Sequence, residues 1–231
     1  MSVKRKEKFD AKLVIALSLF VVLVVFIGGI WAYDSYKKGE AQGKSQVEIE
    51  KIEQFLVNED AYISGDKNAK ITVVEFFDPA CSACVRISPI VAKIPEKYLN
   101  QVRVVYRSLA YHQGSDTILS LLEAAKEQGK FAEALLAFNS RYTSWFANNQ
   151  VNAFVAWGVL EQSGTDIQRA KEFLDNNQAK VDDILRQNKD DATQLGINAT
   201  PTFFVNGVKA EQKDIFTAIE NEIEKVYKDN E

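Results

Sequence analysis

The sequence predicts an α/β protein: a mixed sheet, interrupted by an all-helical insert and preceded by a transmembrane helix. Three observations carry that prediction. A strand-like run, Ile71-Thr72-Val73-Val74-Glu75-Phe76-Phe77, leads into Cys81-Ser82-Ala83-Cys84 at what reads as the start of a helix. A second apolar run, Thr202 to Val205, continues through Asn206-Gly207 into Val208 to Ala210, and Asn-Gly suits the two-residue turn of a hairpin. Between the two, from Ser115 to about Leu195, the pattern is helical.

The chain has 231 residues, 46% apolar and 26% charged. That balance suits one domain with a real core plus appendages. Leu13 to Ile30 is free of charge and is broken only by Ser18 and two glycines. With Trp31, Ala32 and Tyr33 added, the run is long enough to cross a hydrocarbon core of roughly 30 Å, and the two aromatic residues fall where an interfacial belt is expected. A cleaved leader has a shorter apolar stretch and a small-x-small site, so an uncleaved anchor is the expectation. Lys4, Arg5, Lys6, Lys8 and Lys12 against Glu7 and Asp10 give residues 1–12 a net +3, while the whole chain carries −4. The basic end is therefore expected in the cytoplasm and the acidic bulk outside it. An acidic exported body argues against nucleic acid or anionic lipid as the main partner.

In order along the chain, 1–12 is the basic cytoplasmic end and 13–33 the anchor. Residues 34–58 are a polar tether ending in a short helix with Val47, Ile49, Ile52, Phe55 and Leu56 on its apolar face. Residues 59–231 form the folded domain. Within it, Asp60 to Gly65 reads as an edge strand, 71–77 as a buried strand, and the cysteine helix runs to about Tyr98 with a kink at Pro89. Gln101 to Ser108 reads as a central strand, its near-continuous apolar character suiting cover on both faces. In the insert, Ile118, Leu121, Leu122 and Ala125 mark one helix, and Phe131, Leu135, Leu136 and Phe138 a second. Phe154, Trp157 and Leu160 mark a third. Asp166 caps a fourth, through Phe173 and Leu174, and Val181, Ile184 and Leu185 continue into a helix that Gly196 would stop. Ile215, Ile219 and Ile223 mark the final helix.

The chemistry centres on the two cysteines, the whole complement of the chain. Thiols one helical turn apart can close and reopen a small disulfide. Cys81, at a helix N-terminus, has unpaired N–H groups and the dipole to favour its thiolate; Cys84, a turn inward, would resolve a mixed disulfide. A structural bond across four residues would stabilise little. A zinc site needs about four ligands, and His112 is the chain's one histidine. A copper site using the two thiolates stays open as the alternative. Glu75 lies mid-strand, where a carboxylate is costly unless neutral or paired. It is either a proton acceptor for Cys84 or a residue on the other face satisfied by a lysine. Thr200-Pro201 precedes a strand, His112 reads as an ordinary loop residue, and Asn198-Ala199-Thr200 matches a glycosylation acceptor only weakly.

Val74-Glu75-Phe76-Phe77-Asp78-Pro79-Ala80-Cys81-Ser82-Ala83-Cys84, joined by Asn198-Ala199-Thr200-Pro201-Thr202-Phe203-Phe204-Val205-Asn206-Gly207 and by Gln128-Gly129-Lys130-Phe131, resembles the DsbA-like branch of the thioredoxin superfamily from about Asn58 to about Tyr227. The resemblance implies a thioredoxin-like fold, a redox-active Cys81–Cys84 disulfide, a cis-proline at Pro201, Thr200 offering backbone groups to a bound peptide, and Glu75 as the buried acid. It implies a membrane-anchored thiol–disulfide oxidoreductase of the bacterial inner membrane. Its domain would be extracytoplasmic and would act on exported proteins with cysteines, with no cofactor or metal and with a membrane redox partner possible. A copper-binding or client-binding module is the alternative. Ser-Ala between the cysteines is neither the Pro-His of strongly oxidising members nor the Gly-Pro of thioredoxins, which leaves the redox direction open.

Overall fold

The computed structural model describes residue 28 and residues 55–228. The basic end and most of the expected anchor and tether lie outside the described residues. Among the described residues no helix is long and apolar enough to cross a membrane. Phe55 and Leu56 are helical, and the elements after them are β1 (Tyr62–Ser64), β2 (Ile71–Phe77), α1 (Ser82–Val91), α2 (Ile94–Lys97), β3 (Val102–Ser108), α3 (Ser115–Glu127), α4 (Phe131–Ser140), α5 (Tyr142–Trp145), β4 (Phe146–Ala147), β5 (Gln150–Val151), α6 (Ala153–Gln162), α7 (Ile167–Gln194), β6 (Thr202–Val205), β7 (Val208–Ala210) and α8 (Ile215–Lys228).

The five-stranded sheet has the order β1-β3-β2-β6-β7. β2 and β3 are parallel, joined through α1 and α2, while β1, β6 and β7 pair antiparallel. β1 is an edge strand, as its sequence suggested. Alternation along the two central strands divides their side chains between two cores. Val73, Phe77, Val104 and Tyr106 face the larger cluster with α1, α3, α4 and α8. Val74, Phe76 and Val105 face a smaller one with Leu56, Ala192 and Ile197. With both faces covered, these strands read as continuous apolar runs rather than alternating ones.

Some boundaries differ from expectation. The cysteine helix stops at Val91 instead of running to about Tyr98, and α2 follows as a separate turn. Pro95 has no N–H to donate to the Val91 carbonyl, so the ladder ends there; Pro89 itself is accommodated within α1. The insert is helical apart from a two-residue ribbon, β4–β5, whose turn places Asn148 and Asn149 at φ 51° and 57°, a conformation asparagine tolerates. Phe154 does not join its helix's apolar face. It is 89% exposed on the first turn of α6, and Ala156, Val159 and Leu160 are buried instead. Helix α7 is unbroken. The Asp166 side chain accepts from Arg169 N at its start, and Gly196 at φ 64° ends it. At 1.5 Å per residue, α7 reaches from the insert to the smaller core.

What fastens α7 to the sheet is a buried cation. Arg107 on β3 is fully buried, on the face opposite Tyr106. Its guanidinium donates to Asp191 Oδ2 at 2.5 Å, Asn188 Oδ1 at 2.9 Å and the Phe55 carbonyl at 2.5 Å, and it lies over the Phe76 ring. Burial pulls its pKa below the usual arginine value, against the pull of Asp191 in the other direction. Removing one member leaves a buried charge unpaired, which is strongly destabilising. Arg107→Ala is therefore expected to lower unfolding free energy by about 3–5 kcal/mol, read as a shift in the denaturant midpoint. An unchanged midpoint would show that the network contributes little.

Candidate redox site

β2 delivers the site. Its C-terminal end passes through Asp78-Pro79-Ala80 to Cys81, which occupies the N-cap position of α1 in an extended conformation, φ −80° and ψ 116°. Both cysteines are free thiols and buried. Ser82 beside them is exposed. β6 pairs antiparallel with β2, and this brings the start of β6 to the same end of the sheet. The Thr200–Pro201 peptide bond there is cis. The Cys81 Sγ–H donates to the Thr200 carbonyl at 3.2 Å, across more than a hundred residues of chain.

The environment separates the two thiols. A hydrogen bond from the Cys84 thiol is the largest influence on Cys81; with help from the Thr200 side chain and from the N–H groups of Cys84 and Ala83, it outweighs burial and lowers the Cys81 pKa to about 5. The same bond holds the proton on Cys84, whose pKa is raised far above the ordinary thiol range, with burial and the nearby Glu75 adding to the effect. Charge is thus placed on the outer sulfur and withheld from the inner one.

Glu75 settles which side of the strand it occupies. Its register neighbours are Tyr106 and Phe203, and it is 1% exposed, on the core face that also holds Cys81 and Cys84. Burial, with a smaller contribution from the Cys81 charge, raises its pKa to about 8. The structure gives it no lysine partner among the described ion pairs.

The site contains residues to which sequence reasoning gave no role. Asp78 is fully buried. Its Oδ1 accepts from Ala80 N at 2.8 Å and Ser115 Oγ at 2.6 Å. Its Oδ2 accepts from Tyr111 N at 2.8 Å and from His112 N at 2.9 Å, with His112 Nδ1 also at 2.9 Å. His112, expected to be an ordinary loop residue, is one of these donors. Tyr111 Oη donates to the Ile197 carbonyl at 2.9 Å, tying the same loop to the segment before Pro201. Tyr142 Oη, from the insert, donates to the Ala80 carbonyl at 2.8 Å. The one signal in the sequence was an aspartate set between an apolar strand and a proline; the tyrosines carried none.

These protonation states have opposite signs in stability. Cys81 has a depressed folded pKa, so in the reduced form its contribution is present above the ordinary thiol value of 9.0 and is lost as pH falls through about 5. Glu75 has a raised folded pKa, so its contribution is present below the ordinary value of 4.5 and is lost as pH rises through about 8. Cys81 has no thiolate in the disulfide form. The melting temperature of the reduced protein minus that of the oxidised protein should therefore rise as pH increases from about 5 towards 9. A flat difference would mean that Cys81 is not held as a thiolate.

Comparison with known proteins places this geometry in a family. The model described as Thioredoxin matches residues 57–225. A Rickettsia bellii protein assigned as a protein-disulfide oxidoreductase is 26% identical over 196 residues, covering 80% of this chain and 73% of that one. The Na(+)/H(+) antiporter NhaA 1 of Salinispora arenicola is 29% identical over 152 residues, 63% of this chain; the match spans only 22% of the antiporter's length. Among solved structures, alpha-DsbA1 of Wolbachia pipientis superposes with a TM-score of 0.67 at 21% identity, covering 78% of this chain and 99% of that one. Five strands in the order β1-β3-β2-β6-β7, a Cys-x-x-Cys at the N-terminus of α1 and a helical insert ahead of the cis-proline place this chain in the thioredoxin family, with a DsbA-like fold.

Proposed function

We propose that the chain is a membrane-tethered, extracytoplasmic thiol–disulfide oxidoreductase that oxidises or reshuffles cysteines in exported proteins. One observation carries the reading: Cys81 lies between the open end of α1 and the Thr200 carbonyl with its pKa lowered to about 5, while Cys84 behind it keeps its proton. A thiol pair arranged in this way suits disulfide exchange. The Rickettsia relative's assignment supports the same reading.

In the oxidising direction a substrate thiolate attacks Cys81 Sγ of the Cys81–Cys84 disulfide. That bond breaks, a mixed disulfide forms, and Cys84 leaves and takes up a proton. A second substrate thiolate then attacks the substrate sulfur of the mixed disulfide, and Cys81 leaves as a thiolate. The substrate gains a disulfide and the protein gains two electrons, which a membrane redox partner would remove. Glu75, with a pKa of about 8, supplies or accepts the Cys84 proton. Thr200 and Pro201 dock the substrate backbone beside Cys81. A thiolate this stable is a good leaving group and favours the reduced form, which supports oxidation or isomerisation over reduction.

The address rests on sequence. Residues 13–33 are the single-pass anchor in the bacterial inner membrane, with residues 1–12 cytoplasmic and 59–231 outside. Retention in the membrane fraction after alkaline extraction, with the N-terminus of the mature protein intact, is the expected result; a soluble protein shortened at its N-terminus would replace the anchor with a cleaved leader.

Incubated with a disulfide-containing test protein, Cys84→Ser should accumulate a mixed disulfide as Cys81 attacks the substrate disulfide and displaces its other sulfur, releasable by excess thiol, and Cys81→Ser should lose exchange altogether. The reading fails if Cys84→Ser traps nothing and Cys81→Ser exchanges disulfides with the test protein at the normal rate. Glu75→Gln should slow exchange near neutral pH by roughly a hundredfold or more, with Cys81 still alkylated readily.

A further inference from the structure

The helical insert contributes a group to the redox centre as well as covering it. We propose that Tyr142 is a positioning residue for Cys81: its hydroxyl holds the Ala80–Cys81 peptide in the orientation that keeps the Cys81 sulfur against the N-terminus of α1 and the Thr200 carbonyl. The proposal deepens the reading of Cys81 as the reactive sulfur and rests on it.

The geometry is specific. The peptide joining Ala80 to Cys81 has two hydrogen-bonding groups, and both are held. Its carbonyl accepts from Tyr142 Oη at 2.8 Å. Its N–H, on Cys81, donates to the Asp78 carbonyl at 3.0 Å. Asp78 is itself immobilised by the hydrogen bonds to its carboxylate, so one side of the peptide is fixed through Asp78 and the other by Tyr142.

The tyrosine ring is also fixed. It meets Trp145 edge-on, with centroids 5.5 Å apart at 90°, and Phe146 at 5.4 Å. Trp145 is fully buried and donates Nε1–H to the Phe138 carbonyl at 2.7 Å. An aromatic platform of this kind places a hydroxyl with little freedom, the condition for positioning a reactive group.

The bond is not forced by burial. Tyr142 is only half-buried, and water could satisfy its hydroxyl. What the contact adds is control of the Ala80 carbonyl, an oxygen with partial negative charge one residue from the sulfur. A donor on that oxygen reduces its repulsion of the thiolate, and without the donor the peptide is free to turn. Burial, with smaller contributions from the negative charges of Cys81 and Asp78, raises the Tyr142 pKa, which keeps the phenol protonated and able to donate.

The test is Tyr142→Phe in the full chain, which keeps the ring and removes only the hydroxyl. Alkylation of reduced protein is followed against pH, and melting temperature is measured in both redox forms. The alkylation midpoint, expected at about 5 for the natural protein, should move up by about one pH unit in Tyr142→Phe, so that the rate below the midpoint falls by roughly tenfold. Melting of the oxidised form should be little changed. Tyr98→Phe removes a hydroxyl bonded to Glu220 and should leave the midpoint where it was. An unmoved midpoint in Tyr142→Phe overturns the proposal, as does an equal loss of stability in both redox forms without a shift, or an equal shift in Tyr98→Phe. Alkylation needs no protein substrate, so it separates the two readings. A natural protein with a low midpoint but no exchange would sink the proposed function and leave Tyr142's role intact.

Discussion

The geometry around Cys81 depends on a carboxylate that carries none of the expected chemistry. Asp78 is sealed from solvent at the end of β2, and a buried charge is tolerated only when its hydrogen-bonding capacity is met. Here main-chain donors from Ala80, Tyr111 and His112 meet it, with the Ser115 hydroxyl and the His112 ring. Satisfying Asp78 draws the loop after β3 and the start of α3 around the segment that leads to Cys81. The cysteine loop cannot move without breaking bonds to a buried anion, so the electrostatic requirement of one residue becomes the geometric rigidity of its neighbour.

The same sheet uses two further buried ionisable groups in opposite ways. Arg107 and Glu75 lie on adjacent strands and face opposite cores. Arg107 keeps its charge because Asp191, Asn188 and the Phe55 carbonyl are arranged around it, and the result is a fastening for α7. Glu75 has aromatic neighbours in register on both sides, so burial raises its pKa to about 8. A carboxyl that is neutral but close to ionising is a poor structural element and a useful proton carrier. The fold thus holds a paired charge against one core and, among the described residues, an unpaired, buried carboxyl against the other.

The insert ties these features together. Asn139 Nδ2 donates to Ser88 Oγ at 2.6 Å, joining α4 to the cysteine helix, and Tyr142 reaches the loop just before Cys81. The outer sulfur is therefore framed by three separate stretches of chain: its own helix, the Thr200–Pro201 segment and the insert. The pKa difference between Cys81 and Cys84 arises within that frame, because a shared proton between two sulfurs goes to the one that is buried deeper and faces Glu75.

Several elements were legible from sequence because their causes are local. A continuous apolar run, Asn206-Gly207 at φ 44° and 80°, an aspartate N-cap at 166 and a glycine stop at 196 each act within a few residues, and the strands, hairpin and α7 follow from them. The early end of α1 was missed although Pro95 was in view, because the apolar pattern continued past it. The two-residue ribbon inside the insert was missed because so short a strand leaves no periodicity. The face chosen by Glu75, the exposure of Phe154 and the roles of Asp78, Tyr111 and Tyr142 could not be read in advance, since a polar side chain shows its partners only when distant segments meet. By itself the sequence determined the Cys-x-x-Cys spacing, the strand that leads to it and the composition of a fold with a helical insert. Tertiary structure alone decided which face Glu75 takes and which distant groups frame Cys81, because antiparallel pairing of β6 with β2 is what brings Thr200 and Pro201 to the cysteines.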